Sequence, residues 1–302
     1  MRVEPSALPV SWHVADDEMD TGPVWDPRPG STLVPGHLAW SRLATGYRRE
    51  TWLCWSVELW APAVVKIVRP GWKPQWAHAL DRESRALRGL SHPAVPRLLH
   101  DGRDGCPPYL AIEYLDGPDL GTSVADDGPF PAADTARLGV LLLGALRAVH
   151  ATGRGHLDVS PNNVLLVDRR LRLIDFGASR PLGTVLGPGE EVGTEGFTAP
   201  ELDGWPGGPV TSAMDIYSVA ALLQTILDPA GEGADDVAEL LVPLMDADPG
   251  RRPAADLAMA SLVRCAGTGL DRPWPRWANR ALPAPPRRRR ARPRQLGDEA
   301  AG

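Results

Sequence analysis

The chain has 302 residues, 43% of them apolar, which is enough for one large domain or two lobes with a packed core. The formal net charge of -6 argues against a nucleic-acid binder, and Cys54, Cys106 and Cys265 lack the number and spacing of a disulfide framework or a zinc site. The apolar runs 140–149 and 217–227 are shorter than the roughly 20 residues that span a bilayer, and the acidic start does not have the features of a signal peptide. These properties predict a globular protein with reduced thiols, located in the cytoplasm.

The N-terminal part of the chain is predicted to become regular at about residue 33. Residues 1–32 contain proline, aspartate and tryptophan without a clear period, which indicates an irregular leader. The stretch "ETWLCWSVELWAPAVVKIV" has two β-rich runs around an "ELWAP" turn and predicts a hairpin. In "QWAHALDRESRALRGL" the apolar residues have helical spacing, with Glu83 close to the apolar face, and "YLAIEYL" predicts a short strand. We therefore expect a small sheet-rich lobe over about 33–115.

Helical patterns dominate the next part, about 116–265. A long apolar-faced helix is predicted over 132–151, followed by a hairpin from "NVLLV" and "LRLIDF" and by helices over 212–227 and 235–246. The predicted fold class is α+β, with a small β-rich lobe and a larger helical lobe.

The last part of the chain, 266–302, is rich in proline and arginine. Its stretch "PAPPRRRRARPR" cannot form a core and predicts a disordered tail. Such a tail either stays solvated or holds an anionic surface, which could be lipid or nucleic acid.

The small lobe contains a candidate phosphate-binding lysine, and a glutamate that could orient it. Lys66 lies at the end of a predicted strand in a chain whose lysines are Lys66 and Lys73, and its other cations are arginines. A cation at this place would neutralise the phosphates of a nucleotide, and Glu83 on the following helix would pair with the cation and fix its direction. Taken singly, a lysine at a strand end is usually a surface residue, though less so in a chain with so few lysines, and Glu83 alone is most often a solvated helix residue.

The stretch "HLDVSPNN", 156–163, is followed by the predicted hairpin and then by "DFG" at 175–177. Asp158 would accept or steer the proton of an attacking hydroxyl, whereas Asn163 and Asp175 would hold a metal ion. Oxygen donors at the two ends of one hairpin suit magnesium. A single "DFG" is often only a polar turn, but the ordered set of H-x-D-x-x-x-x-N, hairpin and D-F-G is specific.

Over about residues 33–265 the chain resembles the protein kinase superfamily, and in particular the bacterial serine/threonine kinases of eukaryotic type. Besides the motifs above, the resemblance rests on "SHPAVPRLL", "EYLDGPDL", "AVHATGRGH", "GTEGFTAPE", "DIYS" and "DADPGRRP". It implies transfer of the γ-phosphate of ATP, with Mg²⁺ or Mn²⁺, to serine or threonine of a protein substrate, possible autophosphorylation included.

The resemblance also implies roles for individual residues. The implied catalytic residues are Asp158, Lys66, Glu83 and Asn163, the metal ligands Asn163 and Asp175, and the nucleotide contacts Gly46, Val64, Lys66, Glu113, Leu115 and Asp119. Thr194 would lie beside the catalytic aspartate, Glu201 would pair with Arg252, and Asp215 would brace the backbone of the catalytic loop.

The chain departs from the kinase pattern at four places. The glycine loop that covers the phosphates, aligned with "LATGYRRETW", keeps Gly46, and Arg48 and Arg49 in it either add positive charge or are solvated. Ser160 replaces a lysine that touches the transferring phosphate, so the site is either slow or helped by a nearby arginine, for which Arg180 is the candidate. There is little room for a helix between "DIYS" and "GRRP", which leaves the choice of substrate poorly specified.

The fourth departure is Leu157, which stands where many kinases have an arginine that reads a phosphate on the activation segment. Its presence predicts activity without phosphorylation of that segment, for example at Thr184, unless other arginines read the phosphate.

Three functions follow from these residues. Because the groups that bind ATP and metal are all present, a working protein kinase is predicted. The alternatives are a nucleotide-binding regulator with little activity and a small-molecule phosphotransferase, against which "GTEGFTAPE" argues because that segment suits a polypeptide acceptor.

Overall fold

The computed structural model describes residues 22–167, 170–187, 190, 192–202 and 208–266. The leader before residue 22 and the predicted arginine-rich tail lie outside the described residues. In the described part, a six-stranded antiparallel sheet with one helix forms a small lobe, and helices dominate the part that follows. The predicted two-lobed α+β fold is therefore confirmed.

The small lobe is built on a sheet with the strand order β1-β2-β3-β4-β6-β5. Its helix α1 follows β4 and is preceded by a turn of 3-10 helix. The elements are β1 (Thr32–Val34), β2 (His37–Thr45), β3 (Arg49–Ser56), β4 (Ala61–Val68), α1 (His78–Arg88), β5 (Leu98–Gly102) and β6 (Tyr109–Glu113).

The predicted hairpin of the small lobe is β3 and β4. Its register places Thr51 opposite Lys66 and Arg49 opposite Val68. Because directly opposed residues of an antiparallel pair project from the same face, Arg49, Thr51 and Lys66 share one face of the hairpin. The other face carries Glu50, which is fully buried and bonds Trp52 and the backbone of Trp25.

The large lobe contains five helices in the described residues, joined by short strands. Its elements are α2 (Leu120–Asp127), α3 (Ala132–Ala151), β7 (Arg154–Gly155), β8 (Val164–Val167), β9 (Arg170–Leu173), β10 (Arg180–Pro181), α4 (Ser212–Ile226), α5 (Ala234–Leu241) and α6 (Ala255–Ala266). The strands β8 and β9 form the predicted second hairpin, and β7 pairs with β10. None of the helices in the described ranges is long and apolar enough to cross a membrane.

Helix α3 is the centre of the large lobe and packs on α4 and α6. Leu138, Leu142, Leu143 and Leu146 of this helix are fully buried, and a Cβ added at Gly139 would lie 2.6 Å from Leu223 and 2.7 Å from Leu262. The close approach of the three helices therefore depends on the absence of a side chain at this position. This packed core is the rigid base on which the loops of the site stand.

Most predicted elements are present, with differences at their ends. The predicted helix 235–246 ends as an α-helix at Leu241 and continues as the 3-10 turn Val242–Met245, because Pro243 has no N–H to donate to the preceding turn. No helix is formed between Ile226 and Ala234, as the glycine-rich sequence there predicted.

Candidate active site

The centre of the site is an ion-pair cluster between the lobes. Lys66 on β4 donates to both carboxylate oxygens of Glu83 on α1, at 2.7 and 3.0 Å. The same ammonium group lies 3.2 Å from Oδ1 of Asp175, which follows β9. The Lys66 and Glu83 side chains are only 3% and 0% exposed, so water screens this pair little. The predicted pair is thus formed, and it joins the sheet, α1 and the start of the activation segment.

Asp175 is held in an unusual backbone conformation. Its φ of 59° and ψ of 83° are in the left-handed region, and its side chain accepts a hydrogen bond from the Gly177 N–H at 3.1 Å. The next residue, Phe176, is fully buried with its ring 4.6 Å from that of His156. These contacts turn the Asp175 carboxylate into the cleft. Burial opposes its ionisation, but the cations of Lys66 and Arg49 outweigh it and hold the pKa of Asp175 well below its usual value.

The catalytic loop presents Asp158 between two hydrogen-bond donors. Thr194 donates its hydroxyl to Oδ1 at 2.7 Å, and the Asn163 amide nitrogen donates to Oδ2 and to the Asp158 carbonyl, each at 2.9 Å. Burial raises the pKa of Asp158, and the negative charge of Asp175 adds to the rise, although the two hydrogen bonds oppose it. A carboxylate with a raised pKa, fixed in direction by two donors, is suited to accept a proton.

Asp215 on α4 holds the backbone of the catalytic loop, as the resemblance implied. Its carboxylate accepts hydrogen bonds from the N–H groups of His156 and Leu157, at 2.8 and 2.7 Å. His150 at the end of α3 is a third partner, with Nε2 at 2.7 Å from Oδ2. Despite the burial of Asp215, the bond and charge of His150 lower the pKa of this carboxyl. His150 was not predicted as part of the site, although its place in "AVHATGRGH" was noted.

The segment before α4 is anchored by the predicted pair of Glu201 and Arg252. The guanidinium donates to both carboxylate oxygens, at 2.6 and 2.7 Å, and lies over the ring of Tyr217. The Arg252 side chain has no exposed surface. A bidentate buried pair of this kind fixes the end of the activation segment on the helical lobe.

The residues predicted to contact a nucleotide lie in different surroundings, and some of their side chains bond other parts of the protein. Val64 and Leu115 are buried in the apolar core near the second hairpin, and Gly46 closes the β2–β3 turn by donating its N–H to Arg49. The carboxylate of Glu113 instead bonds Arg172 at 2.8 Å, and that of Asp119 accepts from the N–H of Thr122 at 2.8 Å.

The Asp119 carboxylate therefore caps helix α2, which was not predicted. Contacts from these residues to a nucleotide stay predictions. If Glu113 contacts a nucleotide, its backbone has to do so, because its side chain links β6 to β9.

The residues predicted to hold a metal ion have a compatible donor set. The nitrogen of the Asn163 amide bonds Asp158, so its oxygen is the atom that a cation would use. Asp175 stays ionised because its pKa is depressed. An amide oxygen and a carboxylate are donors that Mg²⁺ prefers, with phosphate oxygens and water completing its six ligands. Asn163 and Asp175 would therefore hold the ion.

The sequence left open whether Arg49 adds positive charge to the site or is solvated. Its guanidinium lies 3.3 Å from Oδ2 of Asp175, whereas Arg48 is exposed and lies over the ring of Tyr47. Arg48 lies in the bend before β3, whereas Arg49 is the first residue of β3 and takes its direction from the hairpin register. Arg180 does not take this place, because its guanidinium donates to the carbonyl of Ala178 and pairs with Glu190.

Two departures from the kinase pattern are buried in the catalytic loop. Ser160 is 1% exposed and precedes the turn Pro161–Asn163. Leu157 has a φ of 68° and packs in an apolar cluster with Leu186 of the activation segment. The position of the usual arginine is thus filled by an apolar contact between the catalytic loop and the activation segment.

Comparison with known proteins agrees with this geometry. The family model described as the protein kinase domain matches residues 51–231, which is more than half of the chain. The chain belongs to the protein kinase family.

Several bacterial proteins are similar to the chain. The probable serine/threonine-protein kinase PkwA of Thermomonospora curvata is 30% identical over 185 residues, which are 60% of this chain and 25% of the relative. The serine/threonine-protein kinase PkaA of Streptomyces coelicolor is 35% identical over 204 residues, 63% of this chain and 36% of the relative. The serine/threonine-protein kinase PknL of Mycobacterium tuberculosis is 28% identical over 207 residues, 67% of this chain and 51% of the relative. The chain thus spans between a quarter and about half of the length of these relatives.

Proposed function

We propose that the chain is an active protein kinase that transfers the γ-phosphate of ATP to serine or threonine of a protein substrate, and that it can phosphorylate itself. The observation that carries the proposal is the assembled site. Lys66 is paired with Glu83 and reaches Asp175, while Asp158 is aligned by Thr194 and Asn163. The relatives PkwA and PkaA are named as serine/threonine-protein kinases. The position of Thr194 beside Asp158 supports the same specificity for this chain.

Each group of the site has a task in this reaction. Lys66 would neutralise the α- and β-phosphates of ATP, and Glu83 holds its direction. Asp158, with its raised pKa, would take the proton of the attacking hydroxyl. Asn163 and Asp175 would hold Mg²⁺ or Mn²⁺, which supplies charge neutralisation between the phosphates. Catalysis of this type rests on position and charge, so the rigid support from Asp215 is part of the machinery.

Two observations disfavour the other functions. A regulator without activity would not require Asp158 to be fixed by two donors, nor a carboxylate kept ionised at the metal position. A small-molecule phosphotransferase would not require a segment anchored by Glu201 and Arg252, where a polypeptide acceptor would lie. The protein acceptor itself is not identified by these contacts.

The location and the tail belong to the proposal as well. The three cysteines are unpaired, which supports the cytoplasm as the place of action. A contact of the arginine-rich tail with an anionic surface is supported by its composition alone.

The test is an assay with labelled ATP, Mg²⁺ or Mn²⁺ and a generic protein substrate, followed by analysis of the phosphorylated amino acids. The parent chain should label serine or threonine, and Asp158→Asn and Lys66→Ala should each abolish transfer while the unfolding midpoint is retained. Replacing the exposed Lys73 by alanine is the matched control for loss of a lysine, and it should leave the rate unchanged. Equal rates in the parent and in both site variants would show that the site is wrongly assigned.

A further inference from the structure

Arg49 enters the active-site cleft from the loop that covers the phosphates in kinases. Its Nη2 lies 3.3 Å from Asp175, and a Cβ added at Gly177 would lie 2.8 Å from its Nη1. The guanidinium is therefore packed directly on the backbone of the D-F-G turn. It shares the Asp175 carboxylate with Lys66, at the place where the metal ion of the proposed reaction would bind.

The position of Arg49 follows from the hairpin. The N–H of Gly46 donates to the Arg49 carbonyl at 2.9 Å, which closes the β2–β3 turn at the residue where β3 begins. Arg49 and Thr51 project from one face of β3, and Lys66 projects from the same face of β4. The backbone register therefore places both cations, Arg49 and Lys66, on the cleft side of the sheet.

The guanidinium is only partly satisfied by the residues that the structure describes. Its Nη1 is buried and has no hydrogen-bond partner among the described residues, although the side chain as a whole retains 22% exposure. A buried unpaired donor of a charged group costs free energy, because it has lost its water without gaining a partner. A phosphate oxygen would satisfy this donor, since guanidinium groups bind phosphate with two parallel N–H donors.

Two departures from the kinase pattern weaken the part of the site that would bind the terminal phosphates. The loop keeps Gly46 but not the other glycines that let backbone N–H groups approach phosphates, and Ser160 replaces a lysine. The first loss hinders the approach of backbone N–H groups to the terminal phosphates, and the second removes a charged donor. Arg49 carries donors to the same region.

We propose that Arg49 is a phosphate-binding residue of this kinase, whose guanidinium pairs with Asp175 in the empty site and turns to the β- and γ-phosphates when nucleotide and metal bind. The inference rests on the proposed function for its nucleotide. In it, Asp175 would be left to hold the metal ion, and the Arg49 guanidinium would supply to the phosphates the charge that the missing lysine does not. The rival role is a plug, in which Arg49 competes with the metal ion for Asp175 and so weakens nucleotide binding.

The first experiment measures binding alone, by calorimetric titration of ATP, ADP and AMP in Mg²⁺. Arg49→Ala should weaken the binding of ATP and ADP by roughly ten- to a hundredfold, the effect of one hydrogen bond to a charged group, and should leave AMP unchanged. Arg49→Lys should lose less, because it keeps the charge but not the two parallel donors. Arg48→Ala is the matched control on the exposed side of the turn, and its affinities should equal those of the parent.

The second experiment compares transfer rates of the same variants, with unfolding midpoints recorded for each. Arg49→Ala should lower kcat/KM for ATP by more than tenfold while Arg48→Ala has the parent's value. Unchanged ATP affinity in Arg49→Ala, or tighter ATP binding as the plug requires, would overturn the inference.

The two proposals fail in different ways. A parent chain that transfers phosphate, with an Arg49→Ala variant that binds ATP equally well, contradicts the role of Arg49 and leaves the kinase activity standing. A parent chain that binds ATP through Arg49 but transfers no phosphate supports the role of Arg49 and contradicts the activity. A parent chain that binds no ATP contradicts both.

Discussion

Asp158 has a raised pKa and a carboxylate whose direction is fixed by neighbouring hydrogen-bond donors. Its carboxylate is partly buried and lies in the field of Asp175, which raises its pKa, while Thr194 and Asn163 donate to its two oxygens. A carboxylate of this kind is easier to protonate than a solvated one. Its pKa therefore reflects a balance, in which burial and Asp175 raise it and the hydroxyl and amide that face it oppose the rise.

The pH dependence of transfer follows from this arrangement. Asp158 must be ionised to accept the proton, so the rate should fall as pH falls through a pKa above the ordinary value of 3.8. Thr194→Val removes a hydrogen bond that favours the ionised form, and it should move the acidic limb of the kcat profile to higher pH. The measurement is kcat between about pH 4 and pH 8 for both chains. A limb at the same pH in both would contradict the assignment of Asp158 as the titrating group.

Ser160 and Arg49 should behave as substitutes for each other. If Arg49 already supplies a donor to the terminal phosphates, Ser160→Lys should change kcat little in the parent chain. In the Arg49→Ala chain, the same substitution should recover roughly tenfold or more, because one preorganised donor contributes about 10²- to 10³-fold. The four chains of this cycle are compared at saturating ATP. An equal gain in both backgrounds would mean that the missing lysine is an independent weakness of the site.

The residues of the site could be predicted where a short motif fixes their neighbours. Lys66, Glu83, Asp158, Asn163 and Asp175 came from motifs and meet in the cleft. Arg49 could not be assigned, because its direction depends on the register of β3 against β4, and one residue of slip would exchange it with Arg48. Arg180, the other candidate for helping Ser160, pairs with Glu190 in the structure, and its role toward phosphate stays a prediction.

The activation segment is the element whose state decides activity in many kinases. Here its described residues are held by contacts within the protein. Leu186 packs on Leu157 of the catalytic loop, and Glu190 pairs with Arg180 and accepts the N–H of Gly187. The Gly187 hydrogen bond is the largest cause of the lowered pKa of Glu190, and Arg180 adds to it. The negative charge of Glu190 thus pairs with Arg180, an arginine that could otherwise bind a phosphate.

Phosphorylation of this segment should therefore not be required for activity. Protein treated with phosphatase, and shown by mass spectrometry to be bare between Asp175 and Glu201, should reach its full initial rate at once. Thr184→Ala should have the same time course. A lag followed by acceleration as Thr184 becomes phosphorylated, absent in Thr184→Ala, would show that arginines such as Arg82 or Arg154 read a phosphate after all.

Elements could be predicted best where a period repeats over many residues. The helix over 132–151 and both hairpins were read from such patterns, and α3 has these bounds. Strand β2 and helices α2 and α6 were not predicted. Helix α2 is eight residues long, and its start depends on the Asp119 cap rather than on an apolar stripe. Its existence is a consequence of a local hydrogen bond that composition does not reveal.

At the scale of the molecule, the two lobes meet through charges as well as through the apolar core that Val64 of the sheet shares with Leu173 of the second hairpin. Lys66 and Arg49 come from the sheet, and Asp175 comes from the large lobe. Arg82 on α1 adds a third link by donating to the carbonyl of Gly177 at 2.7 Å. Burial is the main cause that lowers the pKa of Arg82 to about 10, and the charge of Arg180 adds to it. The relative position of the lobes is thus coupled to what occupies Asp175.

The contrast between the two lysines makes the nucleotide site chemically addressable. Lys66 is almost fully buried and Lys73 is exposed, and the chain has no further lysine. An acylating reagent delivered on a nucleotide should modify the amine of Lys66, and excess ATP should protect it, whereas Lys73 should react equally with and without ATP. Peptide mass spectrometry measures both in one sample, so that Lys73 serves as the internal standard. Labelling of Lys66 that ATP does not reduce would contradict its place beside the phosphates. With protection, a single peptide would report the occupancy of this kinase's nucleotide site in a crude mixture.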